Sequence, residues 1–143
     1  MAPSSIDFSP LRKALVQLTE AISFWQDRAV GDPLKPHLRS AVIQSFEFTY
    51  ELALRTMRRV LIERSASAAL IQDLSFSDLI RSALDAGLPT DLTVWRRWRD
   101  LRNSTSHTYD GERAQAVVIE VPEFARQVTV LLASLTTLME GGN

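Results

Sequence analysis

Cysteine is absent from all 143 residues, so disulfide staples and thiolate metal sites are excluded. Histidine occurs only at 37 and 107. That pair has no metal-ligand spacing, and zinc takes four N, O or S ligands. There is no Gly-rich phosphate loop. There is no Asp-x-Asp pair of the kind that holds catalytic Mg²⁺, so the chain is not expected to run metal-dependent nucleotidyl transfer by itself. No cofactor is implied. Charge of one sign is also missing: the formal net charge is −1, which excludes a wholly basic, histone-like binder. No apolar run approaches the length of a membrane span. Met1-Ala2-Pro3-Ser4-Ser5-Ile6-Asp7 has neither a basic n-region nor an apolar h-region, so no secretory signal is expected and a cytoplasmic location follows. What is present is 45% apolar and 23% charged, a composition that folds rather than stays disordered. The length suits a single domain over 1–143.

Glycine and proline are few and placed as punctuation. Before the tail, Gly31, Gly87 and Gly111 each fall between two periodic apolar segments, with Pro33, Pro36 and Pro89 in the same gaps, where helices stop. Ser9 before Pro10 reads as an N-cap followed by a first-turn proline. Leu11, Leu15, Leu18, Ile22 and Trp25 mark one helical face over Ser9 to Val30. Val42, Phe46, Tyr50, Ala53, Met57 and Val60 mark another over Pro36 to Arg64, with Phe46 and Tyr50 inward. A short helix is expected over Ser77 to Ala86, a fourth over Asp91 to Thr108 and a fifth over Glu112 to Met139. Pro122 should kink the fifth or split it near Val121. The reading is all-α: an up-and-down antiparallel bundle of four long helices plus one short helix. Gly141-Gly142-Asn143 should fray.

The chemistry-bearing stretch is Trp95-Arg96-Arg97-Trp98-Arg99-Asp100-Leu101-Arg102-Asn103-Ser104-Thr105-Ser106-His107-Thr108-Tyr109. Arginine outnumbers lysine 14 to 2 in the chain, and arginine forks bind phosphate bidentately. Two readings stand side by side. In one, Trp95, Trp98 and Leu101 are core and the arginines are a solvated face. In the other, Arg96, Arg97 and Arg99 bind RNA phosphates, Arg102 and His107 are catalytic, and Asn103 and Ser106 orient the phosphate. Such a set can cleave RNA without metal. The 2′-hydroxyl is a built-in nucleophile, a histidine can move protons near neutral pH, and an arginine can stabilise charge on phosphoryl oxygens. One His per chain supplies one acid–base group, and a two-fold dimer would supply two. On an unbroken helix His107 and Tyr109 would point about 160° apart. They share a cleft only if the helix loosens before Gly111 or two copies meet. A Ser106–His107–Asp110 hydrolase is set aside, since nothing resembles a nucleophile elbow. His37 receives no role.

Two stretches resemble a known family. One is Arg39-Ser40-Ala41-Val42-Ile43-Gln44-Ser45-Phe46-Glu47-Phe48-Thr49-Tyr50-Glu51-Leu52-Ala53. The other is Ser77 to Leu88, followed by Trp95, Arg102-Asn103 and His107-Thr108-Tyr109. Together they resemble the nucleotidyltransferase substrate-binding protein family, a branch of the HEPN superfamily that includes HepT-type toxins. The resemblance implies a helical bundle that dimerises and partners a minimal nucleotidyltransferase. It implies that Arg102 and His107 form a metal-independent ribonuclease site of a toxin–antitoxin pair, silenced when the partner adenylylates Tyr109. It equally admits a non-catalytic accessory subunit that binds the transferase's substrate. Glu47, Glu51 and Arg55 match the family pattern on the second helix. Glu51 and Arg55 have the i,i+4 spacing of a local ion pair.

Overall fold

The computed structural model describes residues 6–140. Seven helices follow in order: α1 (Ser9–Asp27), α2 (Lys35–Arg64), α3 (Ala68–Gln72), α4 (Phe76–Asp85), α5 (Leu92–Ser104), α6 (Gly111–Val118) and α7 (Val121–Glu140), with a 3₁₀ turn at Thr105–His107 between α5 and α6. No strand occurs among the described residues. The fraying expected for Gly141–Asn143 lies outside them.

Side-chain pairings give the topology. Thr49 lies beside Ala14, while Ala41 and Gln44 lie beside Ala21 and Gln17, so α2 runs back along α1. Glu47 meets Thr105 and Glu51 meets Arg102, so α5 runs back along α2. Phe46 touches Phe124, and Arg64 reaches the carbonyl of Leu138, so α7 runs with α2. The four long helices therefore alternate up and down around α2, an all-α bundle as expected.

The core follows the apolar stripes. Leu11, Leu15, Leu18, Ile22 and Trp25 of α1 are buried, as are Val42, Phe46, Tyr50, Ala53, Met57 and Val60 of α2. Phe124 of α7 is the aromatic hub. Its ring meets Phe46 edge-on at 4.8 Å, Trp98 at 5.5 Å and Trp95 at 6.4 Å, in the tilted geometries aromatic quadrupoles favour. The two tryptophans of the Arg-rich stretch are thus core. Trp98 also donates its indole N–H to Gln127 at 3.2 Å.

The helix ends show which local signals acted. Gly87 has φ +94°. Its N–H bonds the carbonyl of Leu84, and that of Leu88 bonds Ala83, the paired bonds of a Schellman cap. Leu88 closes the cap by burying itself in the core. Asp91 caps α5 through the N–H groups of Thr93 and Val94, and Asp110 caps α6 through that of Glu112. Pro122 splits the expected fifth helix into α6 and α7 and occupies the first turn of α7, where its missing N–H costs nothing. Two expectations change. Ser9 is not an N-cap but the first residue of α1. Asp7 takes its N–H at 2.9 Å, and that bond holds the Asp7 carboxyl below the usual range. Between α2 and α4 the chain adds α3, held from outside by Arg58, whose Nη1 donates to the carbonyls of Ile71, Gln72 and Leu74 at 2.9, 3.2 and 3.1 Å.

Candidate functional site

The turn after α5 departs from the α-helix at Thr105. Its hydroxyl lies 2.7 Å from the carbonyl of Arg102 and 3.1 Å from Glu47 Oε2, and it accepts from Arg102 Nη1 at 3.0 Å. A threonine hydroxyl that bonds a carbonyl three residues back tightens the last turn. The backbone there winds as a 3₁₀ turn through His107. The 160° separation computed for an unbroken helix is thereby removed. The rings of His107 and Tyr109 meet edge-to-face with centroids 6.4 Å apart. Both side chains face solvent, Tyr109 being 88% exposed.

Arg102 is the anchor of this turn. Its guanidinium is paired twice with α2, Nη1 to Glu47 at 3.0 Å and Nη2 to Glu51 at 3.1 Å. Glu51 therefore pairs across the bundle rather than with Arg55, which is exposed on the same helix. The three charges line a shallow hollow of about 230 Å³ with Gln44 and Phe48. One guanidinium against two carboxylates leaves that hollow with one net negative charge. The Nε of Arg102 is buried and has no partner. Beneath the site, Tyr50 is 6% exposed. Burial pushes its phenol up to about 12, against the opposing pull of the Arg99 and Arg102 guanidinium groups.

The remaining candidates do not all converge. Asn103 and Ser106 are exposed beside the turn, and the Ser106 hydroxyl donates to the Asn103 carbonyl at 3.1 Å. Arg96 and Arg97 open onto a different hollow, of about 370 Å³, shared with Thr93, Asp100 and Glu120. There Arg97 is bound to Glu120 at 2.6 Å and lies over the Trp98 ring, which ties α5 to the link between α6 and α7. Arg99 lies over Phe76 of α4, 5.0 Å from its centroid. His37 is exposed at the start of α2. The sequence reading named Glu47 and Glu51 only as part of a resemblance, and it missed Thr105. A threonine three residues after an arginine is common, and only the fold shows that its hydroxyl joins Arg102 to Glu47. Among the described residues no three His, Cys, Asp or Glu side chains cluster as a metal ion would need, and no helix is long and apolar enough to cross a membrane.

The chain matches known proteins over nearly its whole length. The profile of the family described as "Nucleotidyltransferase substrate binding protein like" matches residues 6–137. A Haemophilus influenzae protein named "Probable ribonuclease HepT" is 36% identical over 128 residues, spanning 90% of this chain and 86% of the relative. A solved Haemophilus influenzae structure, described as revealing the fold of a substrate-binding domain of a nucleotidyltransferase, superposes with a TM-score of 0.82 at 32% identity. That match covers 91% of this chain and 99% of the other. With a profile spanning almost every described residue and a relative this similar, the chain belongs to the nucleotidyltransferase substrate-binding-like protein family.

Proposed function

We propose that this chain is a cytoplasmic, metal-independent ribonuclease of the HepT type, acting as a homodimer and silenced by a partner nucleotidyltransferase. The observation that carries the reading is the turn at Thr105–His107. It presents an exposed imidazole next to an exposed tyrosine, on a segment fastened through Thr105 to the Arg102 guanidinium. In the reaction the RNA 2′-oxygen attacks the adjacent phosphorus and the 5′-oxygen leaves. The products are a 2′,3′-cyclic phosphate and a 5′-hydroxyl. His107 of one protomer takes the 2′-hydroxyl proton, and His107 of the second copy protonates the departing 5′-oxygen. Arg102 stabilises the charge on the phosphoryl oxygens, with Asn103 and Ser106 at the rim. The partner transfers AMP from ATP to the Tyr109 oxygen with loss of pyrophosphate. This places a phosphate anion and a nucleoside where RNA would dock.

Expression without the partner is expected to arrest bacterial growth, and His107→Ala to relieve the arrest. Purified protein should cut RNA in excess EDTA. If wild type and His107→Ala support equal growth and the purified chain leaves RNA intact, the ribonuclease reading is lost. A second reading, an accessory subunit that holds the transferase's substrate, is favoured by one feature: the Arg102 charge is already neutralised by Glu47 and Glu51. Mass spectrometry after co-expression with the partner separates the two. Added AMP on Tyr109 supports the ribonuclease, and an unmodified Tyr109 in a complex with active transferase supports the accessory subunit.

A further inference from the structure

Among the described residues, two buried side-chain nitrogen or oxygen atoms lack a hydrogen-bond partner, and both are guanidinium Nε atoms: Arg102 and Arg39. Native proteins leave few such groups, and each calls for a reason. Arg102 belongs to the site already described. Arg39 lies on α2, two helical turns before Glu47, and its Nη1 reaches the carbonyl of Gly111 at a long 3.4 Å. Gly111 follows directly on Tyr109-Asp110, so the guanidinium sits at the far end of the same turn that carries His107.

Two arginines that join segments of this fold are better satisfied. Arg58 spends Nη1 on three carbonyls, and Arg97 closes on Glu120 at 2.6 Å. Arg39 has five donors and one long bond, and it makes no ion pair with any described carboxylate, although Asp110 and Glu112 stand next to Gly111. Asp110 is occupied in capping α6. A Cβ at Gly111 would stand 3.8 Å from Nη2, an ordinary van der Waals distance, so the turn does not crowd the guanidinium. The turn therefore has one neutralised arginine at its start and one uncompensated arginine at its end.

We propose that Arg39 is a phosphate-binding residue of this site, holding an RNA phosphodiester at the Tyr109 end of the turn. The assignment rests on the ribonuclease reading for its ligand. A guanidinium fork suits a phosphodiester better than an ammonium does, because it can offer two parallel N–H bonds.

The test uses the intact chain and a short 2′-O-methyl RNA, which binds but cannot be cut. Arg39→Ala should weaken binding at least about fivefold and lower the slope of log K against log salt by about 0.7, one phosphate contact on a single strand. Arg39→Lys should restore part of the slope but not the full affinity. Circular dichroism of each variant checks folding. In the wild type, the Arg39 Nε–Hε NMR signal, identified by its loss in Arg39→Lys, should shift on adding the oligonucleotide. That arm needs no variant that might misfold. Unchanged affinity and slope in a folded Arg39→Ala, or an Nε signal that the oligonucleotide does not move, overturns the assignment. A moving Nε signal in a wild type that cuts no RNA overturns the ribonuclease reading and leaves the phosphate site standing.

Discussion

If Arg102 meets phosphate as proposed, the carboxylate pair around it is a measurable brake on polyanion binding. Glu51 lies 3.1 Å from Nη2 with its side chain 55% exposed, whereas Glu47 is 34% exposed and also bonds Thr105. Glu51→Gln removes one negative charge with little change of shape and leaves the Thr105 link in place. An ion pair this exposed is worth about 1 kcal/mol or less, so the fold should survive. A phosphate docked on Arg102 would stand about 6 Å from the Glu51 carboxylate, which costs about 0.7 kcal/mol in bulk-water dielectric and about 1.4 kcal/mol at half that value. Removing it should tighten RNA binding roughly 3- to 10-fold. Fluorescence anisotropy with a 2′-O-methyl RNA at two salt concentrations reads both affinity and slope. Arg102→Gln in the Glu51→Gln background should erase the gain. Tightening that persists without Arg102, or no tightening at all, would refute the idea that Arg102 meets phosphate and that Glu51 masks it.

Other perturbations separate the turn from the core. Thr105→Val keeps the buried shape but removes the hydroxyl that accepts from Arg102 Nη1 and bonds Glu47, leaving their direct ion pair in place; it should cost about 1–2 kcal/mol in urea unfolding and lower kcat about tenfold with KM little changed, whereas a raised KM at unchanged kcat would make Thr105 a binding group. Phe124→Ala empties the contact point of Phe46, Trp95 and Trp98 and should destabilise by about 3–5 kcal/mol, read as a lower urea midpoint at unchanged slope; a loss under about 1 kcal/mol would show that α7 is not seated as described. Burial raises the Tyr50 phenol from its ordinary 10.0 to about 12. Its contribution is therefore complete below pH 10, where the unfolded chain also holds the proton, and it falls as pH rises from 10 to 12, by about 3 kcal/mol in all. Tyr50→Phe should flatten that part of the stability–pH curve, and an equally steep fall in the variant would place the titration elsewhere.

How much of this was legible depended on whether the signal was local. The stripes of α1 and α2, the inward Trp95, Trp98 and Leu101, and the break at Pro122 are written in spacing and in single residues. The α3 segment was not legible. It buries no residue, so it has no stripe to read, and its end is held by Arg58, 13 to 16 residues away. The start of α1 was misread because Ser9 and Asp7 can both serve as caps, and the Asp7 carboxylate took the N–H.

At the site the same division holds. The Arg102–His107–Tyr109 spacing was visible, and of the two conditions for His107 and Tyr109 to meet, the fold supplies the loosening before Gly111: the winding turns 3₁₀ at Thr105, whose hydroxyl bonds back to Arg102. The Glu51–Arg55 spacing predicted an ion pair that the fold declines. A pair within one helix offers a few tenths of a kcal/mol, and α5 delivers a guanidinium that Glu47 and Glu51 hold together. Arg39 was marked only as the first residue of a stretch that resembles the family. Its position became informative only when α6 was seen to start beside it.

The arginine excess over lysine therefore does not describe one continuous basic face. Arg97 and Arg58 are consumed in holding the links between helices, Arg99 lies on an aromatic ring, and Arg102 is balanced by two acids. A uniform basic surface would bind polyanions anywhere along α5, with affinity set by total charge. Among the described residues this arrangement instead leaves charge unspent at scattered points, Arg96 in one hollow and Arg39 beside the turn among them. Selectivity for where a strand lies then comes from which arginines are already satisfied. On the proposed ribonuclease reading, a strand would meet a chain of net charge −1 at such unspent arginines, while the Glu47 and Glu51 carboxylates beside Arg102 would oppose it.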